Sequence, residues 1–365
     1  MERLTIIDGC GNDELARCMN CGLEKAGSNL ENCGMCEEGW QRALRRLAAY
    51  EDNGLTPEEI KNALDVNDII PEINVTVDHI RDLLQAEQDG RLLSVAGYIT
   101  ASAAERPDVW VSVWVAAKGH NGVGLELMNA LPQLTGAEVV ACNNIRPKTC
   151  AFYRFLGWQA QRMPHYYRLA PKGEYRLAVL HRADILPVRP DLGLEKVETV
   201  DELFALGMPP TPHTPRKDTW YMRRRYFHYP HFRYDVWAVR ENGRLLAYAV
   251  TRTVSAQDTG CVPVVRLVDF VGEDAVLPRI GAALDALLRR EKAEYMDCYN
   301  AGIPAAVWRA AGFVERLPDD GQIIPNYLTP PLRENTEYYY FTNKPDNFVM
   351  FKADGDQDRP NLPAE

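Results

Sequence analysis

The sequence has no run of about 18 apolar residues, so nothing in it is long enough to span a bilayer as a helix. No apolar stretch follows Met1-Glu2-Arg3 either, and no secretory leader is expected. Positive charge is in short supply: 41 Lys and Arg against 51 Asp and Glu leave a formal net charge of -10. That balance argues against a general nucleic-acid binder or a ligand of anionic membranes, and leaves room only for a local basic patch. The nine cysteines cannot all pair, and five of them precede residue 40. Such crowding suits a reducing, cytoplasmic setting and metal binding rather than a disulfide framework. Disorder-promoting bias is also missing, with 46% apolar and 25% charged residues. A chain of 365 residues suffices for about two to three domains, each with its own core.

What is present centres on residues 108–158. Val109-Trp110-Val111-Ser112-Val113-Trp114-Val115 is a β-rich run able to bury both faces. It leads into Lys118-Gly119-His120-Asn121-Gly122-Val123-Gly124, and an apolar-periodic helix from Leu125 to Leu134 follows at once. A glycine-rich turn feeding a helix start presents bare backbone N–H groups to an anion. Glu138 to Cys142 reads as a short buried strand, and Thr149 to Leu156 as a helix stopped by Gly157. Cys142 and Cys150, in that strand and helix, are expected to be inert and packed.

This order of strand, G-x-G, helix, strand, and a helix carrying Tyr153-x-x-x-Gly157-Trp158 resembles the acyl-CoA-binding half of the GNAT acetyltransferase superfamily. The resemblance implies acetyl-CoA as co-substrate, with its diphosphate on the turn at Gly122 and Gly124. Val113, Trp114, Val115, Lys118, His120, Asn121, Val123 and Asn144 would line the cofactor. It also implies Tyr153 as the general acid facing the thioester sulfur. His165 is the expected base on the acceptor side, because imidazole takes a proton near neutral pH. One position departs from the superfamily, which usually carries Arg or Gln three residues before the first glycine of the pair. Here that residue is Gly119, and Lys118 or His120 would have to supply the donor.

Ahead of this stretch, Cys18-x-x-Cys21 and Cys33-x-x-Cys36 are separated by eleven residues that include Gly22, Gly27 and Ser28. Two such knuckles bring four thiolates to one tetrahedral zinc; the alternative is a flexible segment with reduced, unliganded cysteines. Helices are expected from Trp40 to Tyr50, after Thr56-Pro57, and from Val77 to Glu87. Leu47 to Ile60 resembles a segment frequent in small bacteriophage and prophage proteins, so residues 1–84 are expected to form a cysteine-rich, helical, phage-like segment. Arg91 to Ile99 reads as a strand after a hairpin-type turn at Asp89-Gly90. It opens a GNAT-like domain over 85–183, which would be incomplete at its N-terminus unless the preceding helices replace the strand and two helices usual there. Tyr175 to Leu180 reads as a further strand, and Asp184 to Asp191 as a linker.

The second half repeats the plan over 192–352. Val236 to Arg240 and Leu245 to Val250 form a hairpin about Asn242-Gly243. Val264 to Phe270 is a strand, Ala282 to Arg290 a helix, Ala293 to Tyr299 a strand and Pro304 to Ala311 a helix, with Trp308 where Tyr153 stands in the first half. Between strand and helix lies Val271-Gly272-Glu273-Asp274, whose acids would repel a diphosphate, so this domain is expected to lack its own CoA site. Arg266 to Phe270, Tyr299 to Ile303, Ile324 to Tyr327 and Lys352 to Asn361 look like a family of tandem GNAT proteins found with bacterial surface-polysaccharide and nucleotide-sugar biosynthesis.

The implied fold class is therefore α/β (α+β): two GNAT-like mixed-sheet domains in tandem, a small cysteine-containing helical N-terminal segment and an acidic tail over 353–365. The implied function is N-acetylation of a small-molecule acceptor, an amino sugar or nucleotide-linked amino sugar. The alternatives are a catalytically silent acyl-CoA-binding or scaffold protein, and a zinc-stabilised phage-type interaction protein with a vestigial GNAT half. Trp220 to Tyr234, with Arg223, Arg224 and Arg225, suits a sugar ring and a diphosphate; otherwise it is a helix with aromatic core anchors and a solvated arginine face. Asp354, Asp356 and Asp358 alternate as in a calcium loop but lack its closing Glu, so a solvated or interface-capping acidic tail is expected.

Overall fold

The computed structural model describes residues 82–88, 91–119, 121–326, 328 and 333–358. The expected zinc knuckles at Cys18, Cys21, Cys33 and Cys36, the two helices expected before residue 77, and His120 lie outside them. The described residues make two compact units, one of 82–100 with 110–136 and one of 101–109 with 137–358.

In the first unit β1 (Asp82–Gln88), β2 (Arg91–Thr100) and β3 (Val109–Ala116) lie side by side, and helix α1 (Asn121–Thr135) packs on the β1–β2 hairpin. β1 and β2 are antiparallel, with Asp82 opposite Tyr98, Gln88 opposite Arg91 and a bulge at Ala86/Glu87. This corrects the part of the helix expected from Val77 to Glu87 that lies within the described residues, 82–87. Apolar residues at 83, 84 and 86 fit either period over so short a span, and pairing with β2 decides between them. Leu93, Val95, Trp110, Val111, Leu127, Met128 and Leu131 fill the interior of this unit.

The second unit holds α2 (Cys150–Phe155), α3 (Val200–Leu206), α4 (Thr219–Met222), α5 (Ala256–Thr259), α6 (Gly281–Arg290) and α7 (Ala305–Ala310). Its smaller group of strands has β13 (Tyr339–Thr342) between β4 (Val140–Asn143) and β5 (Gln159–Arg162), antiparallel to both. The larger sheet runs β12 (Val314–Arg316), β6 (His165–Leu169), β11 (Tyr295–Ala301), β10 (Val264–Gly272), β9 (Arg244–Val254), β8 (Asp235–Glu241), β7 (Glu195–Val197). A short strand β14 (Met350–Phe351) adds to β11. Only β10 and β11 pair in parallel there; the other pairs are antiparallel. The main core joins the large sheet to α6 and α7 through Phe270, Leu277, Leu284, Leu287, Trp308 and Phe351.

Tyr175 to Leu180 is not a strand. Val179 makes one bridge to Ile323, and the Glu294 carboxylate accepts the N–H groups of Arg176, Leu177 and Ala178 at 2.6–2.8 Å. A buried carboxylate thus satisfies the donors that a ladder would otherwise take.

Candidate active site

The glycine turn is built by β3 and α1. Ala117 donates to Leu93 O at 2.8 Å and closes the strand, and Gly119 takes φ +84°, a left-handed backbone that needs no Cβ. The helix then begins at Asn121, earlier than the Leu125 read from periodicity, and its first turn carries no acidic residue. The two glycines of the pair do different things. A Cβ at Gly122 would meet nothing within 4 Å, whereas one at Gly124 would lie 2.9 Å from Ala116 Cβ and 3.3 Å from the Trp114 ring. Trp114 Nε1 donates to Gly124 O at 3.1 Å, which fixes the helix start on the strand. Gly124 therefore serves close helix–strand packing, and Gly122 is the open, exposed member of the pair. Val113, Trp114, Val115 and Val123 are half-buried, and Lys118 is exposed.

Asn144, Tyr153 and His165 belong to the second unit. Asn144 is exposed with φ +59° directly after β4. Tyr153 is 5% exposed, with its ring 4.0 Å from that of Phe341 and near-parallel to Trp158 at 6.4 Å. Burial first, and then Cys142 and Cys150, push its hydroxyl far above the usual range; the Thr149 side chain is its hydrogen-bond partner. The phenol is therefore protonated throughout the neutral range and is a weaker acid than a free tyrosine.

His165 is wholly buried on β6. A guanidinium can only donate, so Arg316 Nε at 3.1 Å fixes Nδ1 as acceptor, and Nε2 then donates to Asp297 Oδ2 at 3.2 Å. Burial lowers its pKa and keeps it neutral. Such a ring has no lone pair left for an acceptor amine, and Tyr153 and His165 sit in separate surroundings.

The same network joins residues whose partnership sequence reasoning did not foresee. Lys217 Nζ lies 2.7 Å from both Asp269 Oδ1 and Asp354 Oδ1, and Tyr226 donates to Asp269 Oδ2 at 2.6 Å. Asp297 also accepts from Asn326 at 2.9 Å. Asp358 receives Arg252 at 3.1 Å. Two acids in the described part of the tail are thus buried rather than solvated: Asp354 is 0% and Asp358 3% exposed. The run from Trp220 to Tyr234 supplies its walls, with Tyr221, Tyr226 and Tyr229 buried and Arg225 Nε donating to Ala353 O at 3.1 Å. Among the described residues no group of His, Cys, Asp or Glu is placed to hold a metal ion, and no helix is long and apolar enough to cross a membrane.

No protein-family model matches the chain, and no curated protein does. Among solved structures it is similar to a GCN5-related N-acetyltransferase from Anabaena variabilis, at 12% identity over 88% of this chain and 70% of that one, with a TM-score of 0.43. Eis1 from Mycobacterium abscessus matches at 14% identity over 70% of this chain and 63% of its own, with a TM-score of 0.36. A tandem GNAT protein from the clavulanic acid biosynthesis pathway matches at 14% identity over 70% and 80%, with a TM-score of 0.33.

Proposed function

We propose that the chain is an acetyl-CoA-dependent N-acyltransferase of GNAT type, acting on an amino sugar or nucleotide-linked amino sugar. The observation that carries the reading is the turn at Gly119–Gly124: a strand end, a left-handed glycine and a 15-residue helix whose first turn holds an open glycine and no acid. Backbone N–H groups at such a start attract a diphosphate through unsatisfied donors and the helix dipole. In the reaction the acceptor amine attacks the thioester carbonyl, and the tetrahedral oxyanion then collapses with loss of CoA as thiolate. The sulfur takes up a proton from solvent, and the new amide nitrogen loses its extra proton to solvent base.

Calorimetry with acetyl-CoA tests the reading. Gly122→Ala should bind like the wild type, since its methyl group meets nothing. Gly122→Glu keeps the helix, because an acid in the first turn favours it, but should weaken binding by about tenfold or more through repulsion of the diphosphate. No heat of binding with the wild type would sink the proposal. Binding without CoA release, tried with glucosamine and with UDP-glucosamine, would favour the silent acyl-CoA-binding alternative.

A further inference from the structure

Strands β10 and β11 pair at only two registers, Val265 with Met296 and Arg266 with Asp297, and β10 bulges between Leu267 and Asp269. The C-terminal segment enters where they part. β14 pairs with Asn300 and Ala301 of β11, and Lys352 N donates to Tyr299 O at 3.2 Å. Beyond Phe351 the contacts become ionic. Asp354 meets Lys217, Asp358 meets Arg252, and Arg225 holds the Ala353 carbonyl.

The charges of this cleft are unequal without the segment. The walls bring four cations, Lys217, Arg225, Arg252 and Arg266, against two carboxylates, Asp269 and Asp297. Of the segment's three carboxylates, Asp354 and Asp358 are the ones that meet those cations, and it brings one ammonium, Lys352. These two acids therefore stand where anionic ligand groups would neutralise the walls. They do so incompletely. Arg266 is 7% exposed, yet its Nε has no hydrogen-bond partner, and its Nη1 stops 4.0 Å from Asp358 Oδ1. Asp297 Oδ1, 4.0 Å from Arg266 Nε, is likewise without a hydrogen-bond partner. A small cavity lined by Arg266, Asp297, Tyr299, Asn326, Lys352 and Asp358 remains beside them.

We propose that this cleft is an oxyanion-binding site, and that residues 352–358 occupy it as a built-in surrogate for a small phosphate- or carboxylate-bearing ligand. Planar guanidinium groups are suited to such ligands, and here Asp358 bonds Arg252 at 3.1 Å while Arg266 is left at 4.0 Å. The inference does not depend on acetyl-CoA binding, which concerns the other unit.

Asp358→Ala in the full chain tests it, with thermal melting in inorganic phosphate, acetate and chloride at matched ionic strength. The variant should melt below the wild type in chloride. Phosphate or acetate should raise its midpoint saturably, by roughly 3–6 °C for each tenfold excess over the dissociation constant. The anion that does so identifies the ligand class. The wild type, with its cleft filled, should show no such rise, and Asp358→Asn, which keeps the space filled, should respond little. If Asp358→Ala does not fold in chloride, refolding yield reads the same question: recovery in phosphate or acetate supports the site. Equal behaviour of Asp358→Ala in all three salts, or an equal rise in the wild type, would overturn it.

Discussion

Tyr153 is packed as an aromatic and is the expected general acid, and one substitution separates the two roles. Tyr153→Phe keeps the ring against Phe341 and Trp158 and removes only the hydroxyl. If that hydroxyl protonates the departing thiolate, kcat should fall by roughly 10²–10⁴-fold with acetyl-CoA affinity nearly kept. Steady-state kinetics with calorimetry check this, and a variant within a few-fold of wild type would leave Tyr153 as packing alone. The helix that carries Tyr153 was readable in the sequence because its residues, Gly157 and Trp158 are local. The Lys217–Asp269–Asp354 cluster was not. Its members lie on β10, on the tail and in the chain ahead of α4, with 52 residues between Lys217 and Asp269, and no periodicity marks such partners. His165 was visible as a titratable residue, but its two partners, Asp297 and Arg316, come from strands 132 and 151 residues away.

Elements whose signals are local were legible: α1, α2, the β8–β9 hairpin about Asn242-Gly243, β10, α6, β11 and α7 stand within a few residues of where capping and patterning put them. The failures, β1 and Tyr175 to Leu180, are segments whose state is set by what they meet, β2 in one case and Glu294 in the other. The packing of α1 on β3 gives a test at this scale. Gly124→Ala must push Ala116 or the Trp114 ring aside, and should destabilise by about 1–3 kcal/mol. Gly122→Ala should be neutral or stabilising by up to about 1 kcal/mol, since it meets open space and favours helix. Thermal denaturation of the pair decides it, and equal effects would mean that Gly124 is not the contact point. Gly302 is a harsher case: at φ +106° its Cβ would collide with Phe348 O, so Gly302→Ala should detach the segment that leads into β14. Faster amide exchange at Met350 and Phe351 would report that detachment.

Across the whole molecule, the mixed-sheet class followed from the alternation of strands and helices, but strand order did not. β6 lies between β11 and β12, and β13 between β4 and β5; each joins partners more than a hundred residues away, which local patterning cannot encode. The tail shows the same limit, since Asp354 and Asp358 read as part of a solvated or interface-capping tail until the cations that bury them are in place. Those acids make pH the test at this scale. For Asp358, burial opposes the charge, but Arg252, Lys352 and Arg266 outweigh it and hold the carboxyl below its usual range. The stability it contributes is complete above the unfolded value of 3.8 and is lost as pH falls through the lower folded one. Asp354 has the opposite sign. Burial, with Asp269 adding to it, raises its carboxyl to about 6 against the pull of Lys217. The folded chain then binds this proton more tightly than the unfolded one, so the ionised group lowers stability above about pH 6, and acid relieves it. Asp354→Asn imitates the protonated form and leaves Lys217 paired with Asp269. It should be more stable than wild type by about 3 kcal/mol near pH 7.5, with the gain shrinking below pH 6 and gone by about pH 4. Asp358→Asn should instead lose about 3–5 kcal/mol near neutrality, because it strips a buried partner from Arg252. Urea titrations of both variants across that range measure the two signs, and an Asp354→Asn chain weaker than wild type at pH 7.5 would show that the Lys217–Asp354 pair outweighs the burial of its charge.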